Sequence, residues 1–312
     1  MKAREARDTL SLLVESWPEP WAYDWAEAVV AARTPADFDS QAVEGLIVDV
    51  RRLLDHLDQM DAPSVSRTEL AAKLFGSSHA LDERDKEKKL AGAVTQALQF
   101  RERDFRSEKR ALWEKAGILS DRVSAPVLSW SIPTVGGSAL DEQIRAASAG
   151  GLPVHVSLFA LQKHPIGVPQ NTQVLVVENP RLVEAAAERG MPGCVITSNG
   201  NPSSAVTTLL QQLRESGASI WYHGDFDTSG IGICRRMCKN ADATPWMMDA
   251  SHYEAAIDLA GQKGIRLERD AGDCGATPWD PALRVVFRRY QRVIHEESVL
   301  DDVLSGFSKE QR

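Results

Sequence analysis

Short runs of apolar residues that stop at acidic or glycine-rich turns dominate the second half of the chain. Val174 to Val177 is one such run and ends at Glu178, and Cys194 to Thr197 is the next. A further run, Ile220 to Tyr222, leads through a histidine and a glycine into Asp225. Consecutive apolar positions over so few residues are typical of strands buried on both faces of a parallel sheet. The pattern therefore predicts buried parallel strands whose carboxyl ends carry acidic residues.

Helical patterns separate these runs. Leu182 to Arg189 lies between the first and the second run, and Ser203 to Leu213 carries apolar residues at helical spacing between the second and the third. Alternating strands and helices predict a doubly wound, Rossmann-like α/β domain with a mainly parallel sheet, and such domains bind ligands beyond the carboxyl ends of their strands. We assign this domain to residues 171–312.

The first half of the chain has mainly helical patterns. Residues 1–60 are predicted to form an N-terminal helical segment, in which an apolar stripe runs from Val43 to Leu57. Residues 61–132 combine short helices with a final strand. The predicted elements are helices at Leu70 to Phe75, Lys86 to Leu98 and Glu108 to Lys115, and an alternating strand at Val127 to Ile132. Residues 133–170 contain glycines and prolines and are interpreted as a connection.

The acidic residues at the predicted strand ends are the strongest candidates for chemistry. Glu178 follows one strand, and Asp225 and Asp227 follow another, so these carboxylates are expected to meet at one edge of the sheet. Without a matching group of Lys or Arg residues they would repel one another, and a divalent cation would relieve that repulsion. Carboxylate oxygens suit Mg²⁺ or Mn²⁺. We expect a metal site there, with Gly224 giving the backbone room for a close approach.

The composition is that of a folded protein without membrane-spanning segments. The 312 residues are 43% hydrophobic and 26% charged, as in ordinary folded domains. No apolar run approaches the roughly 20 residues that span a bilayer, and the first residues lack an apolar signal core. We therefore expect a cytoplasmic protein without membrane contact, and the four cysteines are expected to be reduced.

The formal net charge of −8 argues against binding of nucleic acid over the whole surface, but local basic stripes still permit DNA contact. The DNA-binding candidates in the helical half are Arg67, Arg101, Arg103, Arg106, Lys109 and Arg110. Further basic clusters lie at Arg235, Arg236 and Lys239, and at Arg284, Arg288, Arg289 and Arg292. For each cluster, a solvated helix face is the competing interpretation.

Several blocks of the sequence resemble one family. The segments "VVENPRLVEAAAERG", "TSNGNPSSAV" and "YHGDFDTSGIGI" are similar to the JetD family, the nuclease subunits of type II Wadjet plasmid-defence systems. Upstream blocks such as "SRTELAAKLFGSSHALD" extend the resemblance over about residues 60 to 300. Glu178 together with Asp225 and Asp227 also looks like the Toprim metal site of topoisomerases, primases and nucleases.

The resemblance implies a Toprim catalytic domain preceded by a winged-helix DNA-binding domain, as in the topoisomerase VI A subunit. It also implies Mg²⁺- or Mn²⁺-dependent hydrolysis of double-stranded, circular plasmid DNA. In that reaction Asp225 and Asp227 would bind metal, while Glu178 would be a shared ligand or the residue that handles the proton. The implied partners are double-stranded DNA, an SMC-like ATPase, a kleisin-like subunit, a small winged-helix subunit and a second copy of the chain.

An acidic pair near the end of the chain is similar to an acidic signature that the family carries close to its metal site. Val285 to Leu300 is predicted to be one helical stretch that bears this pair. By resemblance, Glu297, with Glu296 as the second choice, is a candidate metal ligand. A solvated acidic helix face is the alternative interpretation.

Other functions compete with hydrolysis. Topoisomerase VI relatives use a tyrosine in the winged-helix region to form a covalent link with DNA. The tyrosines of this chain are Tyr23, Tyr222, Tyr253 and Tyr290, and none lies between residues 61 and 132, which favours water as the nucleophile. A phosphatase similar to the haloacid dehalogenases would leave Glu178 without a role. The remaining alternative is a DNA-binding or scaffold subunit with a vestigial metal site.

Overall fold

The chain divides into two compact units, Met1–Asp121 and Arg122–Arg312. In a computed structural model, the described residues are 17, 19–31, 40–60, 64–82, 89–107, 109–119 and 122–310. Among them, no helix is both long enough and apolar enough to cross a bilayer.

The first unit consists of helices with one short pair of strands. Its helices are α1 (Pro20–Ala31), α2 (Ser40–Asp58), α3 (Arg67–Phe75), α4 (Leu90–Glu102) and α5 (Lys109–Lys115). Strands β1 (Val65–Ser66) and β2 (Ile118–Leu119) pair in parallel. The helix predicted to end at Phe75 does end there, because Gly76 adopts the left-handed conformation, with φ of 71°, and its N–H bonds to the Ala72 carbonyl.

One hydrophobic core joins the helices of the first unit. The apolar stripe of α2 is buried and includes Ile47, Val50 and Leu54. It belongs to the same cluster of buried residues as Val94 of α4 and Ile118 of β2. The sequence divided this region at residue 60, but the helices on both sides of that position share one core and pack as one unit.

The second unit is built on a six-stranded sheet with the order β4-β3-β6-β5-β7-β8. The strands are β3 (Val127–Trp130), β4 (Val154–Val156), β5 (Gln173–Val177), β6 (Cys194–Thr197), β7 (Ser219–Tyr222) and β8 (Thr244–Pro245). The pairs β5–β6, β5–β7 and β7–β8 are parallel, whereas β3 runs antiparallel to both β4 and β6. The predicted mixed α/β fold with a mainly parallel sheet is confirmed.

Helices cover this sheet and connect its strands. They are α6 (Ala139–Ala149), α7 (Leu158–Lys163), α8 (Pro180–Glu188), α9 (Ser204–Glu215), α10 (Thr228–Ala241), α11 (Ala250–Gln262), α12 (Pro281–Tyr290) and α13 (Leu300–Glu310). The two clusters of buried residues within this unit contain alternate residues of β5: Val174 and Val176 in one, Leu175 and Val177 in the other. This division explains why the strand reads as an unbroken apolar run.

The strand predicted at Val127 to Ile132 is β3 (Val127–Trp130), and it belongs to the compact unit that begins at Arg122. Ser129 is in register with Ile196 of β6, and the Trp130 indole N–H donates to the Met191 carbonyl at 2.9 Å. Residues 133–170, interpreted as a connection, contain α6, β4 and α7 of the same unit. Alternating apolar residues predict a half-buried strand but do not identify the sheet that it joins.

The predicted helical stretch from Val285 to Leu300 is also interrupted. Helix α12 ends at Tyr290, where Gln291 adopts a left-handed φ of 50°. The chain then becomes extended, and Ile294 exchanges two backbone hydrogen bonds with Phe226, of 2.9 and 3.2 Å. A 3₁₀ turn at Glu296–Ser298 follows. This pairing brings the acidic pair against the carboxyl ends of the parallel strands.

Candidate metal centre

Glu178 and Asp225 are neighbours because β5 and β7 are adjacent parallel strands in register. Val176 pairs with Tyr222, so the two strands end at the same edge of the sheet. The Asp225 backbone N–H donates to Oε2 of Glu178 at 3.3 Å, and the Tyr222 hydroxyl lies 3.5 Å from the same oxygen. The two acids that the sequence places at strand ends therefore meet in space.

The turn after β7 is fixed by acidic side chains. Oδ1 of Asp227 accepts a hydrogen bond from the Gly230 N–H at 2.6 Å and caps the first turn of α10. The Thr228 N–H donates to Oδ2 of Asp270, also at 2.6 Å. Asp227 thus has a structural role in starting α10.

Glycines are required where this turn passes Glu178. A Cβ atom at Gly224 would lie 2.8 Å from Oε2 of Glu178 and 2.6 Å from the Tyr222 hydroxyl oxygen. At Gly230 it would lie 2.3 Å from the Asp225 carbonyl oxygen and 3.0 Å from Oε2 of Glu178. The close approach expected at Gly224 is present, and Gly230 allows a second one.

Glu296 holds the two strand ends together. Its side chain is fully buried and accepts hydrogen bonds from the N–H groups of Glu178, at 3.2 Å, and Asn179, at 2.6 Å. The Glu296 N–H in turn donates to Oδ1 of Asp225 at 2.7 Å. Since both carboxylate oxygens accept hydrogen bonds from the backbone, Glu296 has a structural role in organising the site.

Asp225, His295 and Glu297 form a group suited to a cation. Each offers one ligand atom, and these atoms all lie within 4.8 Å of one another. Nδ1 of His295 is 3.3 Å from Oδ2 of Asp225, and the Asn179 side-chain amide donates to Oε1 of Glu297. Glu178 and Asp227 lie outside this group, although both are close enough to Asp225 to influence it electrostatically.

The electrostatics of this edge favour a positive charge. Burial and the neighbouring Asp225 raise the pKa of Glu178 to about 7. Burial also raises the pKa of Asp225 and raises that of Glu296 well above its usual range. Burial alone would lower the pKa of His295, but the hydrogen bond and charge of Asp225 outweigh it and raise that pKa. Among the ion pairs of the described residues, none joins these carboxylates to a Lys or Arg.

Sequence reasoning missed His295 and the structural roles of Glu296 and Asp270. His295 directly precedes the acidic pair, but a continuous helix would have directed consecutive residues to different faces. Only the extended segment before it brings His295 beside Asp225. A predicted break after Tyr290 would have been the signal needed to find it.

The DNA-binding candidates in the first unit differ in whether their charged groups contact other side chains. Arg101 pairs with Asp58 at 2.7 Å, and Arg110 pairs with Glu114 at 2.8 Å. Arg67 lies 3.4 Å from Asp82, and the Lys109 ammonium lies 5.2 Å from the centre of the Trp113 ring. Arg103 and Arg106 are exposed, and neither has an ion pair with another described residue.

Comparison with known families matches both halves of the chain. Residues 2–134 match the family described as "Protein of unknown function N-terminus (DUF3323)". Residues 154–306 match the family described as "Protein of unknown function C-terminus (DUF2399)". A search of curated proteins found no match. The chain therefore carries a DUF3323 domain followed by a DUF2399 domain.

Proposed function

We propose that the protein is a JetD-type endonuclease that hydrolyses double-stranded DNA with Mg²⁺ or Mn²⁺. The observation that carries this proposal is the meeting of Glu178, Asp225 and Glu297 at the carboxyl edge of the parallel strands, with His295 beside them. This edge is where open α/β sheets bind their ligands.

The residues present fit a divalent cation. Carboxylate oxygens are the preferred ligands of Mg²⁺ and Mn²⁺, and Mn²⁺ also accepts an imidazole nitrogen. Asp225, Glu297 and His295 would hold the ion, with Glu178 and Asp227 beside it. When bound, such an ion neutralises charge on a phosphate and lowers the pKa of coordinated water. The raised pKa values of Glu178 and Asp225 support this assignment, because a cation would offset the cost of ionising both groups.

Glu178 is suited to proton transfer. A carboxyl group with a pKa of about 7 can accept a proton from water and release it again near neutral pH. Backbone contacts to Asp225 and to Glu296 hold Glu178 at the strand end. We assign it the role of handling the proton, while the ligand group organises the phosphate.

Water is the nucleophile in this proposal. Tyr222 is fully buried under the acidic edge, and Tyr253 is buried with its hydroxyl bonded to the Arg292 carbonyl at 2.6 Å. A covalent tyrosine–DNA link needs an accessible hydroxyl group, which neither side chain offers. These contacts favour hydrolysis over transesterification by either residue.

The family matches support the wider setting. A DUF3323 domain followed by a DUF2399 domain is the arrangement that characterises JetD-type proteins. We therefore propose that the second unit is a Toprim domain and that the first contains the winged-helix module. We further propose that the chain acts as a dimer on circular plasmid DNA, with an SMC-like ATPase, a kleisin-like subunit and a small winged-helix subunit.

Plasmid cleavage tests the proposal. Wild type and Asp225→Ala are compared in Mg²⁺ and in Mn²⁺, alone and assembled with the partner subunits. We expect metal-dependent cleavage by wild type and a loss of roughly 100-fold or more in Asp225→Ala, as for removal of a group that stabilises the transition state. Asp301→Ala removes an exposed acid that pairs with Arg189 and is the matched control, with activity retained.

Some outcomes would contradict this function. If the assembled complex binds plasmid DNA but does not cut it with either metal, the protein is a DNA-binding or scaffold subunit. If cleavage leaves protein covalently bound to a DNA end, and a Tyr→Phe substitution abolishes that link, the reaction is transesterification.

A further inference from the structure

A cavity of about 440 Å³ lies beside the acidic turn and is separate from the ligand group of Asp225, His295 and Glu297. Its lining residues come from the turn after β7, from Met247 between β8 and α11, from α11 itself, and from the residues that follow the 3₁₀ turn. This volume falls within the range of about 300 to 1,000 Å³ that is usual for small-molecule sites.

The apolar part of this cavity is held in place by the core. It includes Phe226, Leu259 and Val299. The Phe226 ring lies 5.1 Å from the Tyr253 ring, and its backbone is paired with Ile294. A bound hydrocarbon chain would therefore contact an apolar surface that is already in place, so binding would not require these side chains to become ordered.

The charged part of the cavity is acidic. Asp258 of α11 and Asp302 of α13 both line it and are exposed. Neither carboxylate forms an ion pair with another described residue, and no described residue that lines the cavity is Lys or Arg. The two residues come from different helices and line the same cavity.

The buried end of the cavity adds a hydrogen-bond acceptor. His223 lines it and is 1% exposed. Its Nδ1 lies 2.8 Å from the Trp246 carbonyl oxygen, which can only accept, so Nδ1 carries the proton. Nε2 is then an acceptor, and it has no partner among the described residues. An unpartnered buried acceptor favours a ligand that donates hydrogen bonds.

We infer that this cavity binds a linear aliphatic polyamine, whose hydrocarbon chain lies on Phe226, Leu259 and Val299 and whose ammonium groups meet Asp258 and Asp302. An ammonium group donates hydrogen bonds and accepts none, so it can bond to the two carboxylates and to the unpartnered Nε2 of His223. The methylene groups between the ammonium groups can pack against Phe226, Leu259 and Val299. Polyamine binding at this cavity does not depend on nuclease activity.

Calorimetric titration with spermidine, without DNA and in saturating Mg²⁺, tests the inference. Magnesium keeps the acidic edge occupied, so that spermidine reports on the cavity. We expect the double variant Asp258→Asn/Asp302→Asn to bind spermidine roughly tenfold more weakly, since both charge contacts to the ammonium groups are lost and exposed ion pairs are individually weak. Ala255→Trp, which fills the rim from α11, should weaken binding as well.

Matched controls decide between this site and the acidic edge. Asp301→Asn removes a neighbouring charge on α13 that does not line the cavity, and spermidine affinity should change less than about twofold. Hexaamminecobalt(III), which carries charge without hydrocarbon, should not compete with spermidine. Unchanged affinity in the double variant, or loss of binding in Asp225→Asn with the double variant unaffected, would overturn the inference.

Discussion

At the scale of single residues, Glu296 and Glu297 show how adjacent acids acquire different roles. Glu296 is buried and accepts two backbone hydrogen bonds, from Glu178 and Asn179. Glu297 is exposed and belongs to the group of possible metal ligands. The family resemblance favoured Glu297 over Glu296 as a metal ligand. Nothing in the sequence pattern predicted that Glu296 would be buried.

Substitution separates these two roles. Glu296→Ala should lower the free energy of unfolding by about 2 to 5 kcal/mol, because a fully buried side chain is removed and two partly buried N–H groups lose their acceptor. Glu297→Ala should change stability by less than about 0.5 kcal/mol and weaken Mn²⁺ binding. Urea unfolding and calorimetric Mn²⁺ titration measure the two effects. Equal destabilisation by both variants would refute the division of roles.

The pKa of Glu178 predicts how metal affinity depends on pH. This carboxyl titrates near 4.5 in an unfolded chain and near 7 in the metal-free fold, so the folded state holds the proton more tightly between these values. The metal-free protein should therefore lose stability as the pH rises through this window. A cation competes with that proton, so Mn²⁺ affinity should rise over the same window and level off above about pH 7.

Titrations of Mn²⁺ at several pH values check this dependence. Glu178→Gln cannot titrate and should show a shallower rise than wild type. Identical pH profiles for the two proteins would show that protonation of Glu178 does not affect Mn²⁺ affinity.

At the scale of elements, the turn between β7 and α10 carries the tightest packing constraint on the site. Gly230→Ala would place a methyl group 2.3 Å from the Asp225 carbonyl oxygen, a backbone atom that cannot rotate away. We expect a loss of about 1 to 3 kcal/mol of stability. In the same helix, a Cβ at Gly232 would have its nearest neighbour 3.5 Å away, at the end of the Arg236 side chain. Gly232→Ala should be neutral or stabilising by up to about 1 kcal/mol.

Thermal and urea unfolding of the two glycine variants make this comparison. Both substitutions add one methyl group to one helix, so helix propensity cancels between them. If Gly232→Ala destabilises as much as Gly230→Ala, helix α10 as a whole is intolerant of larger residues. The close approach to Asp225 would then not be the cause.

Elements with local signals were predicted well, whereas elements set by long-range pairing were not. Strands β5 and β6 were visible because nearly all of their residues are buried, and all three of β5, β6 and β7 are apolar runs that end at a recognisable turn. Strand β3 was visible as a strand, but its antiparallel partners β4 and β6 depend on contacts that periodicity does not encode. The same limit hid His295, because pairing between Ile294 and Phe226 breaks the helix that the apolar pattern favours.

At the scale of the whole molecule, the net charge of −8 makes the proposed metal important for the proposed contact with DNA. Uncompensated carboxylates at the edge of the sheet would repel phosphate groups, and a bound divalent ion reverses that local field. The acidic edge should therefore contribute to DNA contact only when metal is present.

Metal should also stabilise the folded chain. A ligand that binds only the folded state at 100 times its dissociation constant adds about 2.7 kcal/mol to the free energy of unfolding. Adding Mn²⁺ to chelator-treated protein should raise the unfolding temperature of wild type, and Asp225→Asn should lose most of that increase. Spermidine provides a contrasting case, since its effect should depend on Asp258 and Asp302 and not on Asp225. A metal effect that survives Asp225→Asn would place the ion elsewhere.

Glu178 and the glutamate that holds its backbone N–H are separated by 118 positions in the chain. During synthesis, the strands of the sheet are made before Glu296, which lies near the end of the chain. Until Glu296 leaves the ribosome, the two strand ends lack their common acceptor, and His295 of the proposed ligand group has only just been added. If the proposed nuclease function holds, a chain could not cut DNA before synthesis has passed this segment.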